Sequence, residues 1–170
     1  MSKIKLLAGL LILLPSMAVA TVTHVTLWEA LPGKSAEMMA TAAKAVELNK
    51  KLGMQAVTAV DSRGRLHFAM AFEDWAQWGA YQAKAAADAD MQAFVQGYST
   101  NPSAVQLDSF MLNQPLPGEP GSVYNVFIWE SYEGRSADMM TKAMEAAAIH
   151  QADGVSISVN VDQLGRLHYV

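Results

Sequence analysis

The sequence predicts an α+β protein made of tandem ferredoxin-like (βαββαβ) units that form an α+β barrel, with the second unit truncated. Two observations predict it. Residues 22–69 return without a gap as residues 123–170, and 18 of these 48 aligned positions are identical. They include Trp28/Trp129, Glu29/Glu130, Gly33/Gly134, Met38/Met139 and Gly53/Gly154, and Gly64-Arg65-Leu66-His67 returns as Gly165-Arg166-Leu167-His168. An internal repeat constrains architecture before any motif does. Within each copy, moreover, the apolar period changes from two residues to about 3.6 and back, as it does when strands flank a helix.

The elements follow in order. Residues 22–30 alternate and are rich in β-branched and aromatic side chains, so they predict a strand with Val25, Leu27 and Glu29 on one face and Thr26 and Trp28 on the other. Pro32-Gly33 makes a turn. Ser35 is placed to cap a helix and Glu37 to favour its positive end. Met38, Met39, Ala42, Val46 and Leu52 recur near helical spacing, with Lys50, Lys51 and Gly53 as stop signals. Gln55 to Val60 predicts a second strand, and Asp61-Ser62-Arg63-Gly64 a hairpin turn. Arg65 to Phe72 predicts a third, with Leu66, Phe68, Met70 and Phe72 on one face and His67 on the other. A helix from Asp74 then carries Trp75, Trp78 and Tyr81, a further helical piece spans Met91 to Tyr98, and Ala104 to Leu112 predicts a fourth strand.

The domain organisation follows. Residues 1–20 read as a signal peptide: Lys3 and Lys5 precede the apolar Leu6 to Leu14, and Ala18-Val19-Ala20 is a cleavage site. The apolar run is shorter than the ~20 residues that span a bilayer. Residues 21–112 form the first unit and 113–122 a Pro/Gly linker. Residues 123–170 form an incomplete second unit, expected to lack the end of its third strand, the aromatic helix and the fourth strand.

Composition narrows the function classes. The whole chain carries net charge −4, with 12 basic and 16 acidic residues. Removal of Lys3 and Lys5 with the leader leaves 10 against 16, or −6. A mildly acidic chain without a basic cluster argues against nucleic acid as partner. The leader implies a periplasmic or secreted protein, with no membrane association after cleavage. There is no cysteine, so stability rests on core burial rather than disulfides.

Several residues are candidates for chemistry. Glu29, and Glu130 in the second copy, share a strand face with apolar residues, where a carboxylate must be paired or shifted in pKa and can serve as a general base. His67, and its counterpart His168, lie on a strand expected beside the first and can carry protons. Trp28, Arg65, Trp75 and Trp78 are candidate ligand contacts, two of them on the aromatic helix. The eleven methionines, among them the pairs Met38-Met39 and Met139-Met140, follow a helix face and read as adaptable core filler rather than copper ligands. No metal site is predicted.

The Pro-Gly turn, the Gly-turned hairpin and the segments FEDWAQWGAY and DMQAFV before a last strand resemble the dimeric α+β barrel superfamily. The nearest resemblance is to its antibiotic-biosynthesis-monooxygenase-like and NIPSNAP-like domains. It covers nearly all of the first unit and the surviving half of the second. It implies sheets packed face to face, by intrachain tandem packing or in a homodimer, and a cleft between sheet and helices that takes a small hydrophobic or aromatic molecule. Haem-degrading relatives use an Asn, a Trp and a His; the second helix here has no His and the first strand no Asn, so no haem or other cofactor is expected. The resemblance implies a cofactor-free monooxygenase-like or isomerase-like enzyme. The alternative is a non-catalytic interaction or assembly domain.

Overall fold

A computed structural model describes residues 22–116, 118 and 123–170. The predicted leader and the end of the predicted linker (117 and 119–122) lie outside the described residues. The elements are β1 (Val22–Ala30), α1 (Ser35–Lys51), β2 (Ala56–Val60), β3 (Leu66–Phe72), α2 (Trp75–Ala87), α3 (Ala89–Thr100), β4 (Ala104–Leu116), β5 (Phe127–Trp129), α4 (Ser136–Ala152), β6 (Val159–Asp162) and β7 (Leu167–Tyr169). The fold is α+β and ferredoxin-like: one antiparallel sheet in the order β2-β3-β1-β4-β6-β7-β5. The β6-β7-β5 order of the second half matches β2-β3-β1 of the first. The two halves join through β4 and β6, where Leu112 faces Asp162 and Asn113 faces Val161.

Alternation decides what each face buries. Val22, His24, Thr26 and Trp28 of β1, with Leu66, Phe68, Met70 and Phe72 of β3, point toward the helices. Val22, Leu52, Met70, Phe72 and Tyr81 form the main cluster of the first half, and Ala147, Val159, Leu167 and Tyr169 anchor that of the second. On the other face Val25, Phe110 and Leu112 make a smaller cluster with Ala69.

Several boundaries shift by a residue or more from the sequence expectation, and two of the shifts have clear local reasons. Lys34 occupies the cap position of α1, and Ser35 is its first helical residue with no side-chain cap bond. The chain enters through Gly33 at φ +75, and Lys34 Nζ lies 3.2 Å from Glu37 instead. Strand β4 runs on through Leu116, into residues assigned to the linker, because β6 offers it a partner; Pro115, which has no N–H, sits where the pairing shifts between Asn113 and Leu116. The aromatic segment matches better. Asp74 caps α2 by accepting from the Gln77 amide at 2.7 Å, and Asp88 caps α3 from Met91 at 2.9 Å.

Candidate functional site

The helix face of the first half does not fill completely. A cavity of about 310 Å³ lies between β1 and β3 on one side and α1, α2 and α3 on the other. The strands contribute His24, Thr26, Trp28, Leu66, Phe68 and Met70. Helix α1 adds Met38 and Asn49, and the roof is Tyr81 of α2 with Phe94 and Tyr98 of α3. A bulge positions one end: Leu27 pairs with Asp108 but Trp28 with Gln106, so Leu107 is an extra residue in β4. Trp28 there meets Tyr98 edge-on, ring centroids 5.7 Å apart, and its Nε1 donates to Thr26 Oγ1 at 2.8 Å.

Few polar groups reach this apolar space, and most are paired. Asn49 is 4% exposed; its amide donates to the Ala45 carbonyl at 2.7 Å and its Oδ1 accepts from the Tyr81 hydroxyl. Burial pushes the Tyr81 phenol up, so it remains a donor. The Tyr98 hydroxyl donates to the Ala104 carbonyl. His24 is different. Its Nε2 is 3.0 Å from Ser109 Oγ, but its Nδ1 is buried without a partner among the described residues. Burial lowers its pKa, so the imidazole is neutral at pH 7, with one ring nitrogen left as an acceptor. Asn49→Ala should cost about 1–3 kcal/mol, because it strands the Tyr81 hydroxyl in the interior; urea unfolding of the two proteins checks it.

The residues singled out from sequence divide between the faces. Trp28 borders the cavity. Trp78 packs against the Phe72–Tyr81 cluster with Nε1 unpartnered among the described residues, and Trp75 is 49% exposed with its ring edge against Trp78. Glu29, Glu130, His67 and His168 do not line the cavity. Glu29 and Glu130 are exposed. His67 lies opposite Leu27, on the face away from the helices, and its Nε2 is 3.5 Å from Asp61. Arg65 is bound to the same carboxylate, Nε to Oδ2 at 2.7 Å, while the Arg63 and Arg65 amides donate to Oδ1.

The second copy repeats this clamp around Asp162, which accepts from the Leu164 and Arg166 amides, from Arg166 Nε at 2.6 Å, and lies 3.0 Å from His168 Nε2. The repeated Gly-Arg-Leu-His run thus builds a hairpin in both halves. His24, Asn49 and Tyr98 are the cleft residues the sequence reading passed over. The signal for His24 was present, since it alternates onto the Trp28 face; nothing local marks Asn49.

A sheet with helices on one face and a ligand-sized cleft beneath them places the chain among α+β proteins of the ferredoxin-like class. No protein-family model and no curated protein sequence matches the chain. Among solved structures, a crystal structure of a Fusobacterium nucleatum protein, designated a monooxygenase by name only, is similar with a TM-score of 0.58 and 12% identity, over 90% of this chain and 75% of that one. At that identity the likeness shows the fold alone, an α+β fold. Among the described residues no helix is long and apolar enough to cross a membrane, and no group of three or more His, Asp or Glu is placed to hold a metal ion.

Proposed function

We propose that the first half binds a small, flat, largely apolar molecule bearing a hydroxyl in its sheet–helix cleft. The chemistry is monooxygenase-like or isomerase-like and cofactor-free, and begins with proton transfer from that hydroxyl to His24. One observation carries the reading: an apolar cavity of about 310 Å³, within the range of small-molecule sites, bordered by a neutral histidine whose Nδ1 has no partner among the described residues. Trp28 and Tyr98 act as flat walls, and the Asn49–Tyr81 bond holds the roof on. The monooxygenase name of the Fusobacterium protein supports the class, and the charged-then-apolar leader supports export to the periplasm or beyond. The rival, an interaction or assembly domain, draws on the exposed Phe127, Ile128 and Trp129 of the second half.

The test is a titration of the purified chain with naphthols and related hydroxyaromatics, followed by fluorescence and oxygen uptake. Saturable one-site binding is expected. Ala45→Phe, which fills the cavity, should abolish it. His24→Ala should retain binding and slow turnover by about 10²-fold or more, the usual contribution of a positioned base. Unaltered binding by Ala45→Phe would place the ligand elsewhere, and binding with no reaction under air would leave a receptor rather than an enzyme.

A further inference from the structure

A hydroxyl on β4 meets one nitrogen of His24, and that contact decides which nitrogen is offered to the cleft. Nε2 lies 3.0 Å from Oγ of the exposed Ser109, while Nδ1 is buried without a partner among the described residues. A neutral imidazole carries one N–H and one bare nitrogen. With the proton on Nδ1, the ring would bury an N–H that meets no acceptor, a rare arrangement in folded proteins. With the proton on Nε2, the ring N–H donates to Ser109 and the exposed Ser109 hydroxyl turns its own hydrogen to solvent. Every donor of the pair is then met.

The other donors around the cleft are already committed. Trp28 Nε1 donates to Thr26 Oγ1 at 2.8 Å, and the Thr26 hydroxyl donates to the Phe68 carbonyl at 3.5 Å. Asn49 donates to the Ala45 carbonyl, Tyr81 to Asn49, Tyr98 to the Ala104 carbonyl and Thr41 to the Glu37 carbonyl. Nδ1 of His24 is thus left open in an apolar space, and it is an acceptor.

Ser109 is itself gripped from the second half. Strand β6 pairs with β4 as far as Asp162, opposite Leu112, and then turns away. The next side chain, Gln163, continues the ladder: its Oε1 accepts from the Met111 amide at 2.8 Å and its Nε2 donates to the Ser109 carbonyl at 3.4 Å. One side-chain amide therefore stands where a further peptide of β6 would pair. Ser62 holds the equivalent position 101 residues earlier, in the turn after the edge strand β2. The repeat thus departs from itself where its second turn abuts the strand that holds His24.

We propose that Ser109 is the positioning residue of the cleft and that Gln163 of the second half holds it in place. Ser109 Oγ accepts the Nε2–H of His24, which leaves Nδ1 as a bare acceptor toward the apolar space. The cleft then selects an apolar molecule with one hydrogen-bond donor. It rejects the matching ether or carbonyl compound, whose oxygen meets only a lone pair. When a ligand hydroxyl yields its proton to Nδ1, the Nε2–H stays with Ser109, and an imidazolium faces an aromatic oxyanion. The ligand preference rests on the cleft being the binding site; the tautomer does not.

Nitrogen NMR of the imidazole, assigned by the signals lost in His24→Ala, reads the tautomer in the ligand-free chain. The proton should sit on Nε2. Ser109→Ala should give a mixture of tautomers, and Ser109→Thr, which restores a hydroxyl, should return the single form. In fluorescence titrations a naphthol should bind about tenfold tighter than its methyl ether or the corresponding naphthaldehyde, the contribution of one hydrogen bond. Ser109→Ala should cut that preference to about threefold. Gln163→Ala should speed amide exchange at Met111 about tenfold and shift the His24 signals in the same direction as Ser109→Ala. A proton on Nδ1, equal affinity for naphthol and ether, or a His24 ring indifferent to Ser109→Ala would each overturn the proposal. A ring indifferent to Gln163→Ala would overturn the part given to the second half. Absence of binding by all three probes would instead overturn the proposed binding function, with the tautomer still decided in the ligand-free chain.

Discussion

Asp162→Ala lowers stability by about 3–5 kcal/mol, the cost of breaking a buried ion pair by removing one partner. The Asp162 side chain is 0% exposed. Its loss leaves Arg166, among the described residues, with the Asp108 carboxylate 3.6 Å away on β4, and leaves His168, 2% exposed, beside an empty space. It also frees two backbone amides of the β6–β7 turn. Asp61→Ala removes the same set of bonds from the first hairpin, but around a side chain 21% exposed, so water substitutes for part of what is lost and the cost falls to about 1–2 kcal/mol. Guanidinium unfolding at pH 7 measures both; equal losses would mean that the second clamp owes nothing to its burial.

The same carboxylate predicts the acid limb of the stability curve. Burial by itself would raise the Asp162 pKa, but hydrogen bonds from His168, Arg166 and the two amides outweigh it and hold the carboxyl below the ordinary value. A folded pKa below the unfolded value near ~3.9 gives stability that is complete above that pH and lost as pH falls through the folded value. Stability should therefore decline below about pH 4, and Asp162→Asn should flatten that decline.

Phe72→Ala is the second large effect, at about 3–5 kcal/mol, because it removes an aromatic side chain from a closed core and leaves a cavity. Phe72 is 1% exposed, packs among Val22, Leu52 and Met70, and has its ring 5.7 Å from that of Tyr81. It supports the roof of the cleft as well as the core, so the variant should exchange α2 amides faster and bind hydroxyaromatics less tightly. Val57→Ala on β2, at a side chain 65% exposed, should shift stability by no more than about 0.5 kcal/mol. Denaturant midpoints of the two variants check the contrast.

The legible part of the site was the part set by local periodicity. Alternation from Val22 to Ala30 placed Trp28 opposite Glu29, and Trp28 does border the cavity while Glu29 is exposed on the other face. The same alternation included His24, but a histidine near the start of a strand has no local feature that marks it as half-buried. Its environment comes from Ser109, 85 positions away. Asn49 is a polar residue near a helix end with no local mark; it is buried where Tyr81 arrives from α2 to donate to its oxygen.

The chain by itself determined where strands and helices form, which side chains share a face, and that two segments fold by the same local rules, because periodicity, caps and turn residues act over a few neighbours. Tertiary structure alone decided the β4–β6 seam, the bulge that aims Trp28, and the unequal fates of His67 and His168. Those two follow the same Gly-Arg-Leu run, yet the His67 side chain is 33% exposed and that of His168 is 2%. The physical reason is the seam, which brings the Phe110 ring within 4.9 Å of His168: burial is set by whichever surface arrives from far along the chain.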